Sequence, residues 1–513
     1  MRTISAGMAS TNPVPMGDLL TQQARSDPGR AALTRGERSL TRGELEARAN
    51  RRARAFLSLG VGHDDLVAVS LRDSFEIHES AFAAWKIGAT PASIPHKLAA
   101  PEFDAVLRLM NPRLLVGGGA AGSVDLATLP EGYAPDGSLS SEPLFLPPGR
   151  YWKAMTTGGS TGRPKVIVHH RPPVLDPFSP SNGLALNDVV LMPAPLYHNA
   201  PFSLTHMALC WGAHVVETDQ FDPLETLRLI EKHRVKWLYL VPTMMHRIWS
   251  LPGSQRESFD LSSLEIVLHM AAPCAAWLKQ AWIDWLGAER IWEMYAGTEG
   301  LGTTAISGAE WLAHKGSVGR CINGRVRVLD DLGGDRPPGE VGEVYFVPPG
   351  GRGSTYHYVG AEAKAHGDWE SYGDLGWLDE QGYLYLADRR TDMILTGGAN
   401  IYPAEIEAAL DAHPAVASSV CVGLPDPDLG QRAHAILELK PGGGVPAPAE
   451  LAKFLAGRIA RFKIPYSFEV ASEPLRDDAG KVRRSALRDS RARQAEKGLH
   501  FLPLRDAGVH VDA

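Results

Sequence analysis

The sequence predicts an α/β protein: a large N-terminal domain built on largely parallel sheets, followed by a small α+β domain. Three observations predict it. The chain has 513 residues, more than one ordinary core absorbs, so two or more domains are expected. In the first half, short apolar runs alternate with amphipathic helical stretches, the pattern of βαβ units. Near the C-terminal end the apolar runs Val416 to Val422 and Ala433 to Leu439 precede a helical stretch, Leu451 to Arg458, enough for a small α+β unit.

The elements follow in order. Thr41 and Glu44 have capping-box spacing, and Leu45, Ala49, Ala53 and Phe56 recur at helical period. Gly60 is a natural end for that helix. Asp65 to Ser70 reads as a buried strand, Phe75 to Ile87 as a helix stopped by Gly88 to Pro91, and Leu114 to Val116 as a strand. Gly117 to Arg150, rich in Gly, Ser and Pro, reads as loop. Prolines through Leu191 to Pro201 argue against a regular helix there. Phe221 to His233 and Thr243 to Trp249 read as helices, with a strand, Trp237 to Pro242, between them. Met244, Met245 and Trp249 read as core. Ile266 to Met270 and Glu343 to Val347 are strands, and Pro403 starts a helix over Ala404 to Leu410 as a first-turn proline. The tail from Ser490 to Ala513 carries no motif and reads as disordered.

Composition limits the function. Lys plus Arg is 52 against 59 Asp plus Glu, a net charge of −7, which argues against nucleic acid as a main partner. The four cysteines, Cys210, Cys274, Cys321 and Cys421, form no CxxC pair, so neither a disulfide framework nor a structural zinc site is expected. No apolar run is long enough to span a membrane, and the first residues lack the apolar region of a signal peptide. A cytoplasmic protein is expected; oligomeric state is not readable.

One stretch carries chemistry by itself. Thr156-Thr157-Gly158-Gly159-Ser160-Thr161-Gly162-Arg163-Pro164-Lys165 packs glycines, hydroxyls and a terminal lysine between two apolar runs. Glycine-rich backbone can turn its N–H groups toward an anion, and a lysine adds a point charge suited to phosphate. A hairpin between strands fits better than a strand-to-helix loop, and the GK[ST] of a Walker A motif is absent. An ordinary flexible hairpin would use similar residues.

This run resembles the phosphate loop of the adenylate-forming superfamily: acyl-CoA synthetases, peptide-synthetase adenylation domains and luciferases. Further signatures resemble the family's in order. Pro195-Leu196-Tyr197-His198 is similar to the segment with a gate beside the acyl pocket, which makes His198 the gate. Ala271-Ala272-Pro273 is similar to the small-residue turn against adenine. Met294-Tyr295-Ala296-Gly297-Thr298-Glu299 resembles the YGxTE motif. There Tyr295 would stack on adenine, Thr298 would meet the α-phosphate and Glu299 would hold Mg²⁺. Asp374 and Arg389 match the ribose-binding pair. Gly398 matches the glycine where the acceptor's thiol arm enters. Pro474 to Arg484 resembles the terminal loop PRTxxGKxxR, with Leu475 and Asp477 departing, and Lys481 matches its catalytic lysine.

The resemblance implies a large multi-sheet domain over 1–388 and a small mobile domain over 389–513, pivoting near 389–392. Thr391 sits where many members carry Asp or Lys. The implied chemistry is ATP-dependent formation of an acyl-adenylate with release of pyrophosphate, then transfer to coenzyme A. The alternative is transfer to an amino acid, as in coronafacic acid ligase-like enzymes; a carrier-protein phosphopantetheine is a third acceptor. The acid is expected to be hydrophobic, with Ala271, Ala272 and Gly297 leaving it space.

Overall fold

A computed structural model describes residues 2–4, 12–72, 74–118, 125–158, 164–396, 399–477, 480–496 and 501–504. Gly159, Ser160, Thr161, Gly162 and Gly398 therefore lie outside the described residues.

Two sheets organise the large N-terminal part. The wider has the parallel strands Ala31–Arg35, His214–Glu217, Val189–Met192, Trp237–Leu240, Ile266–His269 and Ile291–Ala296 as neighbours. These strands are apolar runs covered on both faces, as parallel strands must be. Beyond Ile291–Ala296 the pairing becomes antiparallel, first with Thr303–Ser307. The second sheet places Leu66–Ser70 between Thr90–Ser93 and Leu114–Gly117, continues in parallel from Thr90–Ser93 to Ala154–Gly158, and ends in the antiparallel strands Pro164–His169 and Tyr356–Val359.

Helices lie in the core between these sheets. Thr41 and Glu44 form the full capping box of Arg42–Ser58. Gly60 follows at φ +79°, in the left-handed region that favours glycine. Helix Ser74–Lys86 is buried around nearly its whole circumference, so even its lysine must be compensated: Lys86 pairs with Glu46 at 2.9 Å.

The small C-terminal part has its own core, which includes Ile394, Ile406, Leu410, Leu437, Leu451 and Phe468. Val416–Asp426 and Gly430–Leu439 form a long antiparallel hairpin, and Ser467–Val470 adds in parallel. Helix Pro403–Leu410 begins at Pro403, and Pro448–Ala456 is the second helix.

Three expectations are corrected. The tail is structured as far as it is described: Arg484–Glu496 is a helix packed on Val416–Asp426, and Leu502–Pro503 pairs with Ser467–Val470. Its helix hides from apolar periodicity because leucine is its one large apolar residue. Pro201 lies inside helix Asn199–Cys210, in the first turn, where a missing N–H costs nothing. The described residues of 117–150 are mostly loop but include the short strand Thr128–Leu129.

Candidate active site

The strand Ile291–Ala296 is the last parallel member of its sheet, and its carboxyl end is the point where pairing changes direction. Ligands of α/β sheets bind outside the carboxyl ends of the parallel strands, and this strand ends there. Met294 is buried in the strand, while Tyr295, Ala296, Gly297, Thr298 and Glu299 emerge half-buried at its end. A Cβ at Gly297 would stand 2.2 Å from the Tyr372 ring, so glycine here admits that ring. The space a side chain would take at Gly297 is therefore filled by that ring. Tyr372 also accepts from the N–H groups of Leu301 (2.8 Å) and Gly302 (3.2 Å), which fixes the turn after Glu299.

The neighbouring parallel strand ends at His269, and the chain turns through Ala271, Ala272 and Pro273. Ala271 adopts φ +75°, a strained conformation for a residue with a Cβ, and it is exposed. Small side chains here leave a flat surface at the same end of the sheet as Tyr295.

The two strands that flank the glycine-rich run pair antiparallel, the pairing expected of a hairpin. Thr156 pairs with Val166, Thr157 with Lys165 and Gly158 with Pro164. The Thr156 hydroxyl points back to the Ser93 carbonyl at 3.5 Å. Lys165 projects from the returning strand toward Glu299, 3.7 Å from its carboxylate. Tyr358, on the next strand, links the two: its hydroxyl accepts from Lys165 at 3.0 Å and donates to Glu299 at 2.5 Å. Burial lowers the pKa of Lys165, and the Glu299 charge partly offsets it. Sequence reading assigned no role to Tyr358 or Tyr372; Tyr372 opens the run that carries Asp374, and the Tyr-His-Tyr alternation of 356–358 marks a strand with two tyrosines on one face.

Asp374 and Arg389 sit opposite each other on paired strands, 3.5 Å apart. Tyr295 donates to Asp374 at 2.5 Å. Burial, then the Asp374 charge, pushes the phenol well above its ordinary pKa, so it remains a donor.

His198 is the residue before helix Asn199–Cys210, and its Nε2 is buried without a hydrogen-bond partner among the described residues. Burial pushes its pKa down to about 3, with a further contribution from the charge of Lys481. The imidazole is therefore neutral. Lys481 itself lies within electrostatic reach of His198, Arg389 and Glu299. It ranks as exposed by surface area, yet the protein around the open cleft still disfavours its charged form and lowers its pKa.

The C-terminal loop is held there by packing. Gly480 has φ +74°, and a Cβ on it would stand 2.7 Å from Thr243 Oγ1 of the large domain. Asp477 accepts from the Lys481 N–H at 2.9 Å. Arg476 binds Ser418, the Ser419 carbonyl and the Gly480 carbonyl, tying the loop to its own sheet. The fold thus brings Lys165, His198, Tyr295, Glu299, Asp374, Arg389 and Lys481 to one cleft.

Among the described residues no group of three His, Cys, Asp or Glu could hold a metal ion alone. Glu299 is a single carboxylate, next in sequence to Thr298. That donor set suits Mg²⁺, which usually takes one or two carboxylates and completes its shell with phosphates and water.

Comparison with known proteins agrees with this architecture. The fatty acid–[acyl-carrier-protein] ligase ScoC of Streptomyces coeruleorubidus is 30% identical over 501 residues, covering 91% of this chain and 94% of that protein. A feruloyl-CoA synthase of an Amycolatopsis species is 31% identical over 488 residues, covering 92% and 98%. Among solved structures, the amide bond synthetase McbA of Marinactinospora thermotolerans superposes with a TM-score of 0.76 at 24% identity, covering 93% and 100%, and so shares the fold. Residues 405–481 match the AMP-binding enzyme C-terminal domain. Residues 20–351 match the AMP-binding enzyme family, and the chain belongs to it.

Proposed function

We propose that this protein activates a hydrophobic carboxylic acid with ATP and passes the acyl group to coenzyme A. The observation that carries the reading is the convergence of Lys481, from the small domain, on the cleft that holds Glu299, Arg389 and His198. In the first step a carboxylate oxygen attacks the α-phosphorus, the bond to the β-phosphate oxygen breaks, and pyrophosphate leaves. One anion attacks another, so the protein's work is positioning and charge stabilisation. Lys481 bridges carboxylate and α-phosphate oxygens. The hairpin from Thr156 to Lys165 holds the departing phosphates. Tyr295 and the turn Ala271-Ala272-Pro273 flank adenine, and Asp374 with Arg389 binds the ribose hydroxyls. Thr298 donates to the α-phosphate. Neutral His198 gates the acyl site. Glu299 would hold Mg²⁺, which when bound neutralises phosphate charge.

In the second step the thiol sulfur attacks the acyl carbonyl, AMP leaves, and the thiol proton passes to solvent. The small domain, residues 389–513, pivots about 389–392 between the steps, withdrawing Lys481 and admitting the thiol past Gly398. Such rotations limit turnover in many enzymes. The relatives named above, with CoA and a carrier protein in their names, support a thioester product.

The test is incubation with ATP, Mg²⁺ and a panel of hydrophobic acids, with CoA, mixed amino acids or a phosphopantetheinyl carrier protein in separate arms and products read by mass spectrometry. Acyl-CoA is expected. Amides without thioester would move the acceptor to an amine, and acylated carrier alone would move it to a carrier protein. No pyrophosphate release with any acid would overturn the reading.

A further inference from the structure

Among the described residues three lysines are almost completely buried: Lys86, Lys153 and Lys279, at 2%, 1% and 1% exposure. Lys86 pairs with Glu46 at 2.9 Å and Lys279 with Glu293 at 2.6 Å. Lys153 pairs with no carboxylate among the described residues. Its ammonium donates to Asn199 Oδ1 at 2.5 Å and to Ser203 Oγ, and it lies 4.3 Å from the centre of the Trp152 ring. Ser203 Oγ in turn donates to the Asn199 carbonyl at 2.7 Å. The three residues close a ring around the first turn of helix Asn199–Cys210.

This placement is costly on two counts. A buried cation without a counter-charge loses its hydration uncompensated, and loss of solvent alone brings its pKa down to about 7. A helix N-terminus also carries partial positive charge, so an ammonium beside it is repelled. A Met or Leu would fill the same volume without either cost. What an ammonium adds is a fixed tie between the strand that leads into the glycine hairpin, Ala154–Gly158, and the turn that begins immediately after His198. His198 supplies no side-chain cap to this helix, and the imidazole depends on that turn for its aim.

We infer that Lys153 is a positioning residue for the acyl gate: through Asn199 and Ser203 it holds the turn that aims His198, coupling the gate to the strand of the phosphate hairpin. This rests on the proposed acid-activating function. The tie predicts that Lys153 governs use of the acid and not of ATP.

Lys153→Met and Lys153→Arg would be compared with the parent chain, each also carrying His198→Ala, by acid-dependent pyrophosphate release. Lys153→Met is expected to raise KM for the acid by roughly ten- to a hundredfold, the scale of a lost charge-assisted hydrogen bond. KM for ATP stays unchanged, and Lys153→Arg recovers part of the loss. In the His198→Ala background the same change has little further effect, because coupled residues are non-additive. Equal effects in both backgrounds, or equal changes in both KM values, would make Lys153 a structural residue only and overturn the inference. Amide hydrogen exchange probes the same tie without any activity. Lys153→Met speeds exchange over residues 199–206 while leaving 291–296 unchanged; unchanged exchange over 199–206 overturns the inference. If the parent chain releases no pyrophosphate with any acid, the proposed function fails, and exchange alone decides the role of Lys153.

Discussion

Tyr295 donates its phenol hydrogen to Asp374 at 2.5 Å, and this contact joins the end of the last parallel strand to the strand pair that leads to residues 389–392. Asp374 is thereby held facing the cleft with Arg389 beside it. If Asp374 takes the ribose hydroxyls, Asp374→Ala raises KM for ATP by roughly ten- to a hundredfold. The parent enzyme prefers ATP to 2′-deoxy-ATP, and the variant loses that preference. Initial rates with the two nucleotides check this; a preference retained in Asp374→Ala counts against the ribose assignment.

Lys481 shares the cleft with His198 and Glu299, so its removal separates the two half-reactions. Lys481→Ala lowers adenylation by roughly two to three orders of magnitude, the scale of losing one preorganised donor. Thioester formation from a presynthesised acyl-adenylate is largely spared. Equal loss of both steps, measured in single turnovers, would remove Lys481 from its assigned role.

Much of this cleft was legible because its residues lie in short runs with strong local chemistry. Glycines beside a lysine, small residues after a strand and a tyrosine shortly before a glutamate do not need the fold to be noticed. Their meeting does need it, since residues 165, 299, 374 and 481 come together through sheet pairing and domain docking. Tyr358, on a strand, and Lys153, just before one, escaped because each is a single residue whose partner lies far along the chain. The C-terminal helix escaped for a different reason: leucine is its one large apolar residue, the rest being charged, small or polar, so no apolar period marks its packing on Val416–Asp426.

Gly480 tests the docking of the catalytic loop without touching Lys481. Its φ of +74° disfavours a Cβ by about 1–2 kcal/mol. The same Cβ would press on Thr243 Oγ1 at 2.7 Å. Gly480→Ala therefore slows adenylation by about tenfold or more while the acyl-transfer step and the melting temperature change little, an effect of about 1.4 kcal/mol being tenfold. Adding Thr243→Ala removes the contact and restores part of the rate. A Gly480→Ala enzyme with normal adenylation would show that the loop does not need this close approach.

Asp388 makes a pH-dependent link across the proposed pivot. Its carboxylate accepts from the Ala404 N–H at 2.9 Å, in the first turn of Pro403–Leu410, a helix that Tyr402 leaves without a side-chain cap. Burial pushes the Asp388 pKa up to about 6, against the Ala404 hydrogen bond and the charge of Arg484. An unfolded aspartate titrates near about 3.9. Between those values the folded chain holds a proton that the unfolded chain has released. Stability from this group is therefore lost as pH rises from about 4 through 6, and the cost is complete above about 6. Asp388→Asn keeps an acceptor oxygen and removes the charge. It is expected to stabilise the protein by about 1–2 kcal/mol at about pH 8, part of what two pKa units represent, and to have little effect at about pH 4. Urea unfolding of both proteins at the two pH values checks the sign. Destabilisation at the higher pH would mean that the charged carboxylate is the better cap for the helix.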